Sequence, residues 1–151
     1  MNPNQKSELV GEFCQSIFEL RYKLRKMFQV KLKETGISIS FEVLEAMKFL
    51  QGQDGMNQQE LADMLFKDKS SMTYLIDNMV KSGWALRKED KTDRRNKLIF
   101  LTDKARQLKE QLVPLAVHCY LALAEDVDTD EIKRGIQMLS RMNNALSGFI
   151  I

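Results

Sequence analysis

The feature that most constrains this sequence is a short helical pattern, a break and a second helical pattern between residues 57 and 82. The first pattern begins at Asn57, which forms a capping box with Glu60 three residues later. The second has Asp68 as its predicted N-cap. Its buried stripe is predicted at Met72, Leu75, Ile76 and Met79. Helices this short are marginal alone, so we expect them to pack on each other and on further elements.

The hydrophobic period then changes from helical to alternating. Trp84 and Leu86 alternate with Ala85 and Arg87, and an apolar run at residues 97–101 follows a polar loop at residues 88–96. Two helices joined by a tight break and followed by a β-hairpin are the winged variant of the helix-turn-helix. We therefore predict a mainly α fold with a small β-hairpin wing.

Long helical patterns flank this part on both sides. Apolar residues step by three and four through residues 6–34 and again through residues 128–150, which indicates two heptad-like seams. A further long helix begins at Asp103 and contains Pro114. We predict one domain over residues 1–151, in which residues 41–102 form the winged helix-turn-helix part and residues 1–38 and 103–151 form a helical part.

Composition excludes several classes of protein. The sequence has Cys14, Cys119 and the single histidine His118, without the paired spacing that zinc sites or disulfide frameworks need. No nucleophile and base form a recognisable set, so we expect neither an enzyme nor a metal or other cofactor. The N-terminal segment lacks an apolar signal region and no apolar stretch has membrane length, so we expect a cytoplasmic protein.

The basic charges lie where a phosphate-binding surface would need them. The net charge of +2 is small, but basic residues outnumber acidic ones between residues 67 and 97. We predict contacts with double-stranded DNA from the second helix and from the hairpin. The predicted residues are Lys67, Lys69, Ser70, Ser71, Thr73, Tyr74, Lys91, Asp93, Arg94, Arg95 and Lys97. For Tyr74, packing at the helix edge is an equal alternative, and Asp77 is expected to pair with a nearby basic residue.

The sequence resembles the multiple-antibiotic-resistance regulators, the MarR family, over essentially its whole length. The most specific motif is the wing sequence Asp93-Arg94-Arg95, followed six residues later by Leu101-Thr102. The other motifs are Asn57-Gln58-Gln59-Glu60-Leu61-Ala62, Ser70-Ser71-Met72-Thr73, Leu75-Ile76-Asp77 and Lys81-Ser82-Gly83-Trp84. The glycine that often follows the first helix of such motifs is replaced by Phe66. This predicts either an unusual turn or packing of Phe66 on the dimerisation helices.

The resemblance implies a bacterial, two-fold homodimer built by the N- and C-terminal helices. The dimer contacts that it implies are Val10, Phe13, Ile17, Ile136, Leu139, Leu146 and Ile150. It also implies that the second helix enters the major groove and that Arg95 enters the minor groove, with its guanidinium held by Asp93. Arg94 and Lys97 would then contact phosphates.

The resemblance further implies an effector cleft for a small apolar or phenolic molecule. Its expected lining is Phe18, Tyr22, Met47 and Phe49, for which packing in the core is the simpler alternative. We therefore expect a homodimeric transcription regulator that binds a pseudo-palindromic operator, acting as a ligand-responsive repressor. The alternative is a winged-helix module that binds other proteins and has no specific affinity for DNA.

Overall fold

The computed structural model describes residues 2–53 and 55–149. The chain forms six helices and three strands within this part. They are α1 (Pro3–Glu34), α2 (Phe41–Gln51), β1 (Met56–Asn57), α3 (Gln58–Met64), α4 (Lys69–Lys81), β2 (Ala85–Glu89), β3 (Lys97–Leu101), α5 (Asp103–Leu123) and α6 (Thr129–Leu146). The predicted fold class is confirmed.

Capping side chains begin α2, α3 and α4, and Asn57 and Asp68 are the caps that the sequence predicted. The side chain of Ser40 accepts the Val43 N–H at 3.2 Å at the start of α2. Asn57 and Glu60 form the reciprocal capping box of α3. Asp68 caps α4. These side chains satisfy N–H groups that a helix leaves without partners at its first turn, and so they determine where each helix begins.

A single apolar core joins α2, α3, α4, the sheet and the first half of α5. The predicted inward face of α4 is fully part of it, and the same core includes Leu50 of α2, Ile99 of β3 and Leu108 of α5. The residues of α4 in this core are Met72, Leu75, Ile76 and Met79. Burial of one side of α4 leaves its other side for solvent or for a partner.

The sheet has one strand more than the sequence predicted. Residues Met56 and Asn57 pair antiparallel with β3, so the strand order is β1-β3-β2. Two residues are too few to give an alternating pattern, which is why the sequence does not indicate β1. Gly55, with φ of 98°, precedes it, and a Cβ atom there would lie 2.5 Å from the Phe100 ring. Only glycine allows this close approach of the chain to β3.

Thr102 ties the base of the wing to α5. Its hydroxyl donates to the Gly83 carbonyl at 2.7 Å and accepts the Ala105 N–H at 3.2 Å. Lys104 adds a bond from its Nζ atom to the Ser82 carbonyl at 3.1 Å. The end of α4, the end of β3 and the start of α5 are thereby held together. Thr102 thereby also caps the first turn of α5.

The turn between α3 and α4 has an unusual geometry, which is one of the two alternatives that Phe66 predicted. Phe66 has φ of 53°, in the left-handed region that disfavours side chains with a Cβ atom. Its side chain is 97% exposed, so within this chain it does not pack on other helices. The Lys67 N–H reaches back to the Ala62 carbonyl at 2.9 Å and closes the turn.

The chain separates into two compact units, residues 1–116 and residues 117–151. The described part of the second unit contains the end of α5 and all of α6. No residue of α6 is buried, although the helix is strongly amphipathic. The functional boundary at residue 102 stays a prediction.

We expect Phe66→Gly to be more stable than Phe66→Ala by about 0.5–1 kcal/mol. Both variants lose the same exposed ring, but only alanine keeps the Cβ atom that strains a left-handed residue. Urea unfolding of both variants measures the difference. An alanine variant that is as stable as the glycine variant would contradict this account of the turn.

Candidate nucleic-acid interface

The outer face of α4 carries the side chains that the sequence assigned to DNA. Lys69, Ser70 and Tyr74 are exposed, and Tyr74 is 72% exposed. Tyr74 therefore does not pack tightly at the helix edge. Its contact with DNA, like those of its neighbours, stays a prediction.

The N-terminal end of α4 is organised by Asp68. Its carboxylate accepts the Ser71 N–H and the Ser71 hydroxyl, both at 2.8 Å. These hydrogen bonds, the backbone bond first, hold the pKa of Asp68 below its usual value. The Ser71 hydroxyl proton is thus already used, and Ser71 would contact a phosphate as a donor only by leaving Asp68.

Thr73 holds the two helices of the motif together. Its hydroxyl donates to the Lys69 carbonyl at 2.9 Å and accepts a hydrogen bond from the Gln58 amide at 2.8 Å. Gln58 belongs to α3, so this bond joins the two helices. The structure gives Thr73 a role inside the protein that its predicted role in DNA contact did not include.

The tip of the wing is a loop shaped by two aspartates. Asp90 accepts the Thr92 N–H at 2.8 Å and the Thr92 hydroxyl at 2.7 Å, and these bonds lower its pKa. Asp93 accepts the Arg95 N–H at 3.0 Å. Carboxylates that bond to N–H groups two residues later form Asx-turns, which give a polar loop a defined path. The side chains of residues 91–95 are exposed around it.

The contact between Asp93 and Arg95 differs from the expected one. The sequence led us to expect that the carboxylate holds the Arg95 guanidinium, whereas it binds the Arg95 backbone. Among the described residues, no ion pair includes the side chains of Arg94 or Arg95. Both guanidinium groups are available to phosphate or base edges.

Two of the predicted DNA-contacting lysines have acidic partners inside the protein. The Lys97 ammonium is 3.0 Å from Glu89, its cross-strand neighbour in the hairpin. The Lys67 ammonium is 3.4 Å from Glu42 of α2, and the Lys67 side chain is only 21% exposed. Each lysine would have to give up or share its carboxylate in order to bind a phosphate.

An ion pair joins α4 to the wing. Asp77 lies 2.6 Å from the Arg87 guanidinium of β2. The expectation that Asp77 pairs with a nearby basic residue is confirmed. The pair links the exposed face of α4 to the strand that leads to the wing tip, so both predicted contact regions belong to one connected framework.

The four residues of the expected effector cleft do not come together. Phe18 and Tyr22 are exposed on α1, whereas Met47 is completely buried and Phe49 packs against the core. A helix has only one face toward a given cavity, and the two aromatic residues of α1 lie on the solvent side. A cleft of about 680 Å³ lies instead between Lys26, Val30 and the loop at Ile37–Ile39.

The expected dimer contacts lie on apolar surfaces that this chain does not cover. Val10 and Ile17 of α1, and Ile136 and Leu146 of α6, are exposed. Phe13 and Leu139 are partly buried, and Ile150 lies outside the described residues. Exposed apolar seams on long helices are characteristic of surfaces that pair with other helices.

The part of the chain that the structure describes contains no group of three or more His, Cys, Asp or Glu side chains that could ligate a metal. Among the same residues, no helix is long and apolar enough to cross a membrane.

The packed α3 and α4, the hairpin behind them and the basic residues on one connected framework define a winged helix-turn-helix protein. A family model described as the MarR family matches residues 44–97, which include the helix-turn-helix and the wing tip. Over residues 44–97 the chain is therefore similar to the MarR family.

Named relatives agree with this assignment. TtmR, an HTH-type transcriptional regulator of Methylorubrum extorquens (strain PA1), is 37% identical over 60 residues, which cover 40% of this chain and 31% of TtmR. YdgJ, an uncharacterized HTH-type transcriptional regulator of Bacillus subtilis (strain 168), is 26% identical over 147 residues, or 95% of this chain and 88% of YdgJ.

A solved structure extends the likeness in fold to nearly the whole chain. The crystal structure of a mutant MarR from E. coli complexed with operator DNA has a TM-score of 0.78 to this chain, at 19% sequence identity. The similarity covers 94% of this chain and 99% of that protein. The likeness in fold therefore includes the helices on both sides of the winged part.

Three residues of the site were not found by sequence reasoning. Gln58 supports Thr73, Arg87 pairs with Asp77, and Glu42 pairs with Lys67. Each bond joins different elements, so the spacing of residues along one helix or strand gives no sign of it. The Gln58 side chain sits inside the Asn57–Ala62 motif, which is the only sequence signal that would have drawn attention to it.

We expect Asp93→Ala to loosen the wing tip and Asp93→Asn to preserve it. The asparagine amide oxygen can still accept the Arg95 N–H, whereas alanine has no acceptor. Amide hydrogen exchange at Arg95, followed by NMR, should be faster in the alanine variant alone. Equal exchange rates in both variants would show that the Asx-turn does not order the loop.

Proposed function

We propose that this chain is a transcription regulator that binds double-stranded DNA as a homodimer. The observation that carries the proposal is the wing tip, where two exposed arginines, which have no acidic partner among the described residues, follow Asp93 on a framework tied to the exposed face of α4. The similarity to the MarR family over residues 44–97 and relatives named as transcriptional regulators support it.

The geometry suits α4 and the wing to different grooves of the DNA. The exposed side of α4 offers hydroxyl and ammonium groups at a helix N-terminus, which suit phosphates and base edges in the major groove. The Arg94–Arg95 tip suits the narrow minor groove, where the negative potential is deepest. Binding should therefore combine salt-dependent phosphate contacts with a smaller sequence-specific part.

The homodimer follows from apolar surface that a lone chain leaves in water. The seam of α6 includes Ile132, Ile136 and Leu146, none of which is buried. The exposed apolar residues of α1 provide a second surface of the same kind. A second copy would cover them, and its two-fold symmetry would match a pseudo-palindromic site with half-sites about one helical turn apart.

Selection of bound fragments from random duplex DNA tests the function directly. A regulator should enrich a pseudo-palindromic sequence, and repeating the selection with small phenolic compounds would show whether they release the DNA. Enrichment of no sequence, with weak binding to all fragments, would instead favour the alternative of a winged-helix module that contacts other proteins.

Arg95→Ala should weaken binding to the selected DNA by about 1–3 kcal/mol. The guanidinium is lost from the wing tip, while the Arg95 N–H bond to Asp93 remains. Fluorescence anisotropy at one salt concentration measures the change. Arg134→Ala on α6 removes the same charge outside the winged part and should have little effect; if the two variants bind alike, the wing assignment fails.

Ile136→Glu should raise the dimer dissociation constant by more than about tenfold, because burying an isoleucine side chain contributes about 1.5–3 kcal/mol. Ile136 is 62% exposed in the single chain, so the substitution disturbs little packing within it. Sedimentation equilibrium measures the constant. Gln137→Glu adds the same charge one residue later on the helix and serves as the control. A dimer unaffected by Ile136→Glu would place the interface elsewhere.

A further inference from the structure

The carboxylate of Glu42 lies between two cations from different parts of the chain. Its Oε1 atom is 2.9 Å from the Arg25 guanidinium of α1 and 3.4 Å from the Lys67 ammonium in the turn before α4. Glu42 is also in the first turn of α2, where the helix dipole favours a negative charge. One oxygen atom therefore joins a residue of the long N-terminal helix to the helix-turn-helix.

The carboxylate is held in its charged form. Partial burial alone would raise the pKa of Glu42, but the charge of Lys67 and the hydrogen bond from Arg25 outweigh it and lower the pKa below its usual value. Glu42 thus keeps its negative charge at neutral pH. A permanent negative charge is unfavourable beside a DNA phosphate, so its position next to a predicted DNA contact needs an explanation.

The ion pair lies in a cleft that borders the exposed surface of α4. Glu42 and Lys67 line a cleft of about 560 Å³ together with Ser71 and Tyr74, two side chains of the α4 surface. A phosphate that reached Ser71 would therefore be close to Lys67 as well. In the DNA-free chain the Lys67 charge is directed to Glu42 instead.

We propose that Glu42 is a positioning residue that competes with DNA phosphate for Lys67 and thereby limits the affinity of this chain for DNA. The inference rests on the proposed function. Arg25 and Lys67 share one oxygen of Glu42, so they compete for it. While Arg25 holds the carboxylate, Lys67 can move to a phosphate at low cost, because partly exposed ion pairs contribute little in water. Loss of the Arg25 contact leaves Glu42 with Lys67 alone.

Glu42→Gln tests the competition, and Glu45→Gln is the matched control. Both variants remove one carboxylate from α2, but Glu45 pairs with Arg21 and not with Lys67. Against a fluorescein-labelled duplex of the selected sequence, Glu42→Gln should bind about two- to fivefold more tightly than Glu45→Gln. The slope of log affinity against log salt should steepen by about one, since one more phosphate is neutralised. Equal affinities and slopes for the two variants would overturn the proposal.

Two further variants show whether the effect passes through Lys67. In a Lys67→Met background, Glu42→Gln should give no gain over Glu45→Gln, because the competing lysine is gone. Arg25→Met should weaken binding more than Arg21→Met, which removes the same charge from the same helix. This difference should vanish once Glu42 is glutamine. A gain from Glu42→Gln that persists without Lys67 would mean that Glu42 only repels DNA by its charge.

A measurement without DNA separates this inference from the proposed function. The acetylation rate of Lys67 by an N-hydroxysuccinimide ester, followed by mass spectrometry, should be higher in Glu42→Gln than in Glu45→Gln. A parent protein that fails to bind any duplex would refute the proposed function, yet the acetylation rates would still report on the ion pair. Unchanged acetylation in Glu42→Gln would show that Glu42 does not control Lys67.

Discussion

The structure depends on how α4 satisfies two opposite demands. One side of the helix must be buried firmly enough to fix its position, and the other must remain open. Met72, Ile76 and Met79 meet the first demand by filling the core between α2, α3 and the sheet. Because a helix repeats every 3.6 residues, the same spacing leaves Ser70 and Tyr74 on the outside.

Polar bonds between elements then extend this rigidity to the wing. Thr73 is joined to Gln58 of α3, Asp77 to Arg87 of β2, and Thr102 to the carbonyl at the end of α4. None of these contacts is strong alone, since a surface ion pair contributes at most about 1 kcal/mol and a hydrogen bond about 0.5–1.5 kcal/mol. Their importance is that together they link the exposed face of α4 and the hairpin in one framework.

Several basic residues of the first unit pair with carboxylates, so they do not form one continuous basic surface. Lys67 and Lys97 each face a carboxylate, whereas no carboxylate of the described residues pairs with the arginines at the wing tip. Such a surface attracts DNA less strongly than its lysine and arginine content would imply. Under the proposed function, the lower affinity would ease release of the DNA.

The sequence by itself determined the helix boundaries, the hairpin and the exposed face of α4, because caps, glycines and hydrophobic period act over a few neighbouring residues. Capping at Ser40, Asn57 and Asp68 needed no tertiary information. Only the tertiary structure decided strand β1 and the partners of Lys67 and Asp77, since these depend on residues distant in the chain. It also put Met47 in the core, where the sequence allowed a cleft, because burial is a property of the packed molecule and not of residue type.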